Sequence, residues 1–197
     1  FGGNQADLVP AKQDLENTNI LETTFVDSDG AFRVLDFAPR FMLHGRIFRP
    51  TQLVRIIEPL RGAPRIRVRC SPTLGGSRAT PAALLGSNHL AFEGFASPLR
   101  LTTDVPLSYL DGQPFALTEQ RHLVLTWGAP IEEPLTPLCA RFLRETTRYW
   151  QLWVKHTNLP AQYQRGVIPS ALALKLHCFE DTGAGVTSVT TTCMSCA

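Results

Sequence analysis

The sequence predicts a mainly β protein, an antiparallel β-sandwich followed by two α-helices. Three observations carry that prediction. Over the first 130 residues, short β-prone runs recur between turn signals. The run "RIRVRC" (Arg65–Cys70) alternates strictly between arginine and apolar or cysteine side chains. After Pro130 the period changes, and "PLTPLCARFLRETTRYWQLWVKH" (Pro134–His156) places apolar residues at helical spacing.

Taken in order, "NILETTFV" (Asn19–Val26), "DSDG" and "AFRVLDF" (Ala31–Phe37) read as a hairpin around an Asp-Gly-containing turn. Pro39 and Pro50 bracket a loop before the strand "TQLVRIIEPL" (Thr51–Leu60), and "RGAP" turns the chain into Arg65–Cys70. There Arg65, Arg67 and Arg69 point one way, and Ile66, Val68 and Cys70 the other. A solvated face, with carboxylates on a neighbouring strand, accounts for the arginine row better than a binding role, because overall charge is nearly balanced. Further strands are expected at "HLAFEGF" (His89–Phe95), "LRLTTD" (Leu99–Asp104) and "RHLVLTWG" (Arg121–Gly128), with "TLGGSRATPAALLGSN" and "LDGQP" between them as loops. With no helical period between most of these runs, an antiparallel sandwich is the economical layer arrangement.

In the following helix Leu135, Leu138, Cys139, Phe142, Thr146, Tyr149, Trp150 and Trp153 form one stripe, with Arg141, Arg144, Glu145, Arg148 and Gln151 opposite. Thr136 before Pro137 suits an N-cap and a first-turn position. "TNLP" ends this helix, and "VIPSALALKLHCFEDTGAG" (Val167–Gly185) reads as a second, apolar helix closed by a turn. Pro169 lies inside it and is expected to kink or restart it, since proline lacks a backbone donor and crowds the preceding turn. The expected domains are therefore a β-sandwich over 1–130, a linking helix over 131–158, and a helix with an irregular tail over 159–197.

Composition narrows the function. The 197 residues are 44% hydrophobic and 18% charged, which supports a packed core rather than disorder. A net charge of +2 argues against nucleic acid or an anionic membrane as partner, and no apolar run approaches the roughly 18 residues of a membrane helix. Cys70, Cys139, Cys178, Cys193 and Cys196 are odd in number and sparse, which points to a reducing, cytoplasmic compartment. The Cys193/Cys196 pair lacks the further ligands a zinc site needs and the strand-helix setting of a redox pair.

No catalytic constellation emerges. Glu132 and Glu133 are adjacent, so their side chains diverge, and they suit a helix start; Glu180 and Asp181 suit a turn. Glu58 and Glu93 fall in strands and could meet only through the fold. His44, His89, His122, His156 and His177 have no ligand-like spacing. Neither a nucleophile elbow nor a phosphate-cradling glycine loop is present. Trp127, Trp150 and Trp153 could stack on sugars, but the last two share the apolar helical stripe and read as core. No catalytic, cofactor-binding or metal-binding residue is assigned.

The ordered segments "NTNILETTF", "VLDFAPRF", "LVRIIEPLRGAPRIRVRC", "GSNHL", "LRLTTD", "FALTE", "LVLTWG", "TTRYWQLWVKH" and "VIPSALALKLHCFEDTGA" together resemble the N-terminal region of family-fifteen glycoside hydrolases, the bacterial glucoamylase and trehalase-like enzymes. The resemblance runs from about Asn17 to Ala184. It implies a sandwich of the supersandwich type, a linking helix and the first helix of an (α/α)6 barrel. Such enzymes release glucose from α-glucans or trehalose with inversion, through two barrel glutamates and without a metal. No residue of this chain matches those glutamates, so the chain is expected to be an inactive, non-catalytic domain from carbohydrate metabolism, with the catalytic barrel as its partner and oligosaccharide reached through that barrel. The tail "TGAGVTSVTTTCMSCA" begins like the family's threonine-rich turn and then loses the pattern, as a fragment or frame-shifted reading would. Leu172, Leu174, Leu176 and Phe179 would face other barrel helices; alone, they would fold back on the sandwich, pair with another copy of the chain, or stay exposed and promote aggregation. The competing expectation is a stand-alone carbohydrate-binding or structural sandwich, for which Phe41, Phe48 and Tyr109 are the candidate sugar platforms.

Overall fold

The computed structural model describes residues 11–74, 81–158, 160, 162 and 164–178. It contains twelve strands: β1 (Ala11–Asp14), β2 (Leu21–Val26), β3 (Gly30–Phe37), β4 (Phe41–Leu43), β5 (Arg46–Phe48), β6 (Gln52–Gly62), β7 (Arg65–Arg69), β8 (Ala83–Leu85), β9 (His89–Phe92), β10 (Leu99–Thr103), β11 (Asp111–Ala116) and β12 (Arg121–Trp127). Helices α1 (Leu135–His156) and α2 (Gln164–Leu176) follow. Eight strands form one antiparallel sheet in the order β1-β2-β3-β6-β12-β10-β9-β8, while β11-β7 and β4-β5 are two-stranded. The mainly β architecture with two helices after it is as the sequence predicts.

The two faces of the large sheet bury different sets of residues. On one, Leu35, Phe37, Val54, Ile56 and Val124 pack against Leu135, Leu138, Cys139 and Phe142 of α1. On the other, Val34, Ile57, Leu99, Leu101 and Leu123 meet Ile66 of β7 and Leu110, Phe115 and Leu117 of the β11 region. Strand β6 shows why: "LVRII" is apolar at both parities, with Val54 and Ile56 turned to α1 and Ile57 to the opposite core. Removing such side chains from water stabilises the fold by about 1.5–3 kcal/mol each. Among the described residues, the layer opposite α1 is therefore narrow, two strands against eight.

The expected hairpin forms at β2–β3, with Phe25 opposite Phe32 and Val26 opposite Ala31. Asp27 closes its turn by accepting from the Asp29 and Gly30 amides at 2.8 and 2.9 Å. Three segments differ from expectation. The stretch between Pro39 and Pro50 is not an open loop but contains β4 and β5, joined at His44 and Gly45 with φ of 48° and 75°, the left-handed pair that a two-residue hairpin turn requires. "LDGQP" belongs to a strand: Gly112, at φ 96°, absorbs a register shift between Asp111 and Pro114, and Pro114 is tolerated because β11 pairs on one side only. "AALL" contributes the short edge strand β8.

Helix α1 buries Leu135, Leu138, Cys139, Phe142, Thr146 and Trp150, with Tyr149 and Trp153 half-buried, as its stripe dictates. Its N-cap is Pro134, not Thr136; Leu135 is drawn into the first turn because its side chain belongs to the core. Helix α2 starts at Gln164, upstream of the expected point, and stays helical through Pro169. Proline there removes one backbone donor, and the Ser170 hydroxyl turns back to the Gly166 carbonyl at 2.8 Å. No helix among the described residues is long and apolar enough to cross a membrane.

Candidate functional site

The carboxylates considered from sequence do not converge. Glu58 accepts from Arg33 Nε at 2.6 Å, while Glu93 is exposed beyond β9. Strands β12 and β10 lie between β6 and β9, a separation of about 14 Å at ordinary strand spacing. Glu133 pairs with Arg141 at 2.9 Å and Glu132 is exposed, so both sit at the entry to α1. Glu180, Asp181, Phe179, Cys193 and Cys196 lie outside the described residues.

Among the histidines, His44 occupies the β4–β5 turn, His89 follows Asn88 at the start of β9, and His156 is exposed near the end of α1. His177 Nδ1 is 2.7 Å from the Ala173 carbonyl. His122 alone is fully enclosed. Its ring Nδ1 lies 2.6 Å from Asp104 Oδ2, and its backbone amide donates to Asp104 Oδ1 at 2.8 Å. A carboxylate accepts, so Nδ1 is the donating nitrogen. Thr103 completes the corner, its hydroxyl donating to the His122 carbonyl at 2.7 Å and accepting from the Val105 amide at 3.0 Å.

Cys139 of α1 has 0% exposure, and burial pushes its thiol up to about 12, with Asp104 adding to the shift. Asp104 thus bonds His122 and acts on Cys139, yet the result is not a nucleophile. A reactive cysteine needs its thiolate, and this one stays protonated at neutral pH with no path to solvent. No group of three or more His, Cys, Asp or Glu side chains among the described residues is placed to hold a metal ion.

The raised thiol has a consequence for stability. Folded Cys139 keeps its proton until about pH 12, whereas an unfolded thiol loses it from about 9, so stability present below pH 9 declines between those values. Between pH 8 and 10 this single group is expected to remove about 1.4 kcal/mol. Urea unfolding of the native chain and Cys139→Ala at both pH values measures it: the difference between the two proteins should shrink by that amount on going to pH 10. Equal pH responses in the two would overturn the assignment.

A broad concavity opens between the large sheet and β7. It has a volume of about 990 Å³, and Phe25, Phe32, Leu53 and Leu125 line its floor while β7 forms one wall. The Phe25 and Phe32 rings stack at 4.8 Å and 12°. Arg55 reaches Asp36 through two bonds of 2.7 and 2.9 Å, which raise the arginine's proton affinity further and leave that carboxylate engaged. Asp27, Ser28 and Asp29 stand at one end. Such a site can bind; it offers no pair of free carboxylates flanking a bond. Sequence reasoning missed it because its walls come from residues far apart in the chain. The one local hint was the double-sided apolar pattern of β6, which requires a second layer.

The arginine row takes its expected place, with Arg65, Arg67 and Arg69 exposed and Ile66, Val68 and Cys70 turned to the core. The expected ion pairs do not form: Asp111 of β11 stands opposite Arg69 in the ladder, yet none of the three arginines makes an ion pair among the described residues. The aromatic platforms fare no better. Phe41 and Phe48 pack on each other and on Phe142 at 4.9–5.7 Å, and Tyr109 packs on Phe115 at 5.1 Å. Trp150 is core and Trp153 stacks edge-on against it at 6.3 Å; Trp127, at the end of β12, is 40% exposed.

Helix α2 divides its leucines. Leu172 is 3% exposed, and its carbonyl accepts from Asn19 Nδ2 at 3.2 Å, which ties the helix to the β1–β2 turn. Leu174 and Leu176 are 69% and 50% exposed, and Leu174 borders a shallow apolar groove with Val167 and Ala171.

No family profile matches the chain, and no solved structure matches it either. Among curated proteins, it is 26% identical over 182 residues to a trehalase of Thermoplasma acidophilum, a match that covers 89% of this chain and 31% of that protein. Similarity to a trehalase of Thermoplasma volcanium is again 26% over 182 residues, covering 89% of this chain and 29% of the relative. The chain therefore spans about a third of the length of the curated relatives it matches, and it is distantly similar to archaeal trehalases over most of its own length.

Proposed function

We propose that this chain is the N-terminal, non-catalytic β-domain of an inverting glycoside hydrolase that cleaves trehalose or α-glucans. The observation that carries the reading is the similarity to two trehalases along 89% of the chain and about 30% of theirs. The dispersed carboxylates support it: Glu58 and Glu133 are held in ion pairs, and Glu93 lies strands away from Glu58. In this reading the general acid and base belong to an (α/α)6 barrel in sequence other than the aligned third. The exposed side of α2, with Leu174 and Leu176, is the surface that meets that barrel, because solvent-facing leucines on a helix already anchored at Leu172 favour burial against another apolar surface. The free thiols of Cys70, Cys139 and Cys178 suit a reducing, cytoplasmic setting.

The test is glucose release. The purified 197-residue chain, incubated with trehalose and with maltooligosaccharides, is expected to show no turnover above buffer. Release of glucose by this chain at rates proportional to its concentration would overturn the reading, since it would require an acid and a base that the domain itself holds.

A further inference from the structure

The second layer of the β-domain stops partway across the large sheet. Strand β11 and the residue after it bring Phe115 and Leu117 into one core cluster with Leu90, Phe92, Leu99 and Leu101 of the large sheet. Strand β7 comes next, and among the described residues no third strand follows it. The cleft is walled by all of Arg65–Cys70 and by no residue of β11, so it lies on the side of β7 away from its partner. Along that edge, alternate N–H and C=O groups of β7 have no partner among the described residues. Beneath the edge lies the apolar floor of Phe25, Phe32, Leu53 and Leu125. Above it, facing solvent, stands the unpaired row Arg65, Arg67 and Arg69.

We propose that this edge is an acceptor site for an extended polypeptide strand in which apolar residues alternate with Asp or Glu. Each of the three features selects one property of the occupant. A free strand edge is satisfied by another backbone at about 4.8 Å, and sugars or lipids do not present matching donors and acceptors at that period. Side chains opposite Ile66 and Val68 share their face and point to the floor, so those positions are apolar. Side chains opposite Arg65, Arg67 and Arg69 share the outward face, where a carboxylate finds an arginine directly across the ladder. The sheet beneath supports the added strand at the usual ~10 Å between layers. Strand addition would extend the narrow layer by one member and cover the Phe25–Phe32 pair.

The experiment uses the full chain and a fluorescein-labelled seven-residue peptide that alternates glutamate with valine, read by anisotropy. Saturable binding is expected. N-methylation of every second amide should abolish it in one of the two frames and spare it in the other, because only one set of amides faces β7. The triple variant R65E/R67E/R69E should lose at least about tenfold in affinity and should regain it for a lysine–valine peptide. Arg67→Glu alone supplies the same readout, at a smaller loss, if the triple variant unfolds, with thermal unfolding as the control. The proposal is overturned if the glutamate–valine peptide does not bind at millimolar concentration, if both N-methylated frames bind equally, or if charge reversal leaves affinity unchanged. Displacement of the peptide by maltooligosaccharides, or its exclusion by dimers of this chain that bury β7, would overturn it as well.

Discussion

Replacing Trp150 with alanine is expected to lower the unfolding free energy by about 3–5 kcal/mol, enough to move the thermal midpoint of a chain this long by on the order of 10 °C. The indole is 1% exposed and sits where α1 meets the segment between β3 and β4. It packs edge-on to both Tyr149 and Trp153, at 5.1 and 6.3 Å. The Arg40 guanidinium lies 5.4 Å from its ring centre and 5.7 Å from that of Tyr149, while the Arg40 amide donates to the Thr146 hydroxyl at 3.2 Å. Truncation opens a void that rigid neighbours cannot fill and strips one face from a buried cation. Urea unfolding followed by far-ultraviolet circular dichroism measures the loss. A change below about 1 kcal/mol would show that α1 is not held to the sheet as described.

The second large effect is at Asp104. Asp104→Ala removes both acceptors from His122 and leaves a buried ring N–H and a buried amide unpaired, at a cost of about 3 kcal/mol. Asp104→Asn keeps an oxygen for one of these donors and should recover part of the loss. The contrast between the two substitutions separates hydrogen bonding from simple packing, since asparagine matches the native shape. Full recovery by asparagine, with only alanine destabilising, would mean that the corner is held by volume alone.

Local pattern exposed much of this fold. The β2–β3 hairpin, β7 and α1 each carry their own period and punctuation within a dozen or two residues, and each formed where its residues demand. What stayed hidden depends on tertiary context. β11 contains a glycine and a proline and reads as a loop; it becomes a strand because Phe115 and Leu117 bury against the large sheet and β7 offers an edge. Pro134 begins α1 in place of Thr136 because Leu135 is needed in the core. The cleft was illegible for a similar reason, since Phe25, Leu53, Arg67 and Leu125 become neighbours only through pairings distant in sequence. The environment of Cys139 likewise depends on Asp104, 35 positions earlier, which no spacing rule links to it.

The bond from Asn19 to the carbonyl of Leu172 spans 153 positions. During synthesis at about 5–20 residues per second, the β1–β2 turn is therefore made about 8–30 s before its acceptor exists. Ile20, beside that turn, waits in the same way for Leu135 and Phe142. The β1–β2 turn, made well before α2, is thus among the last parts of this domain to be locked. Chaperone dependence during translation should concentrate on this early sheet edge, and it should end only once α2 has left the ribosome.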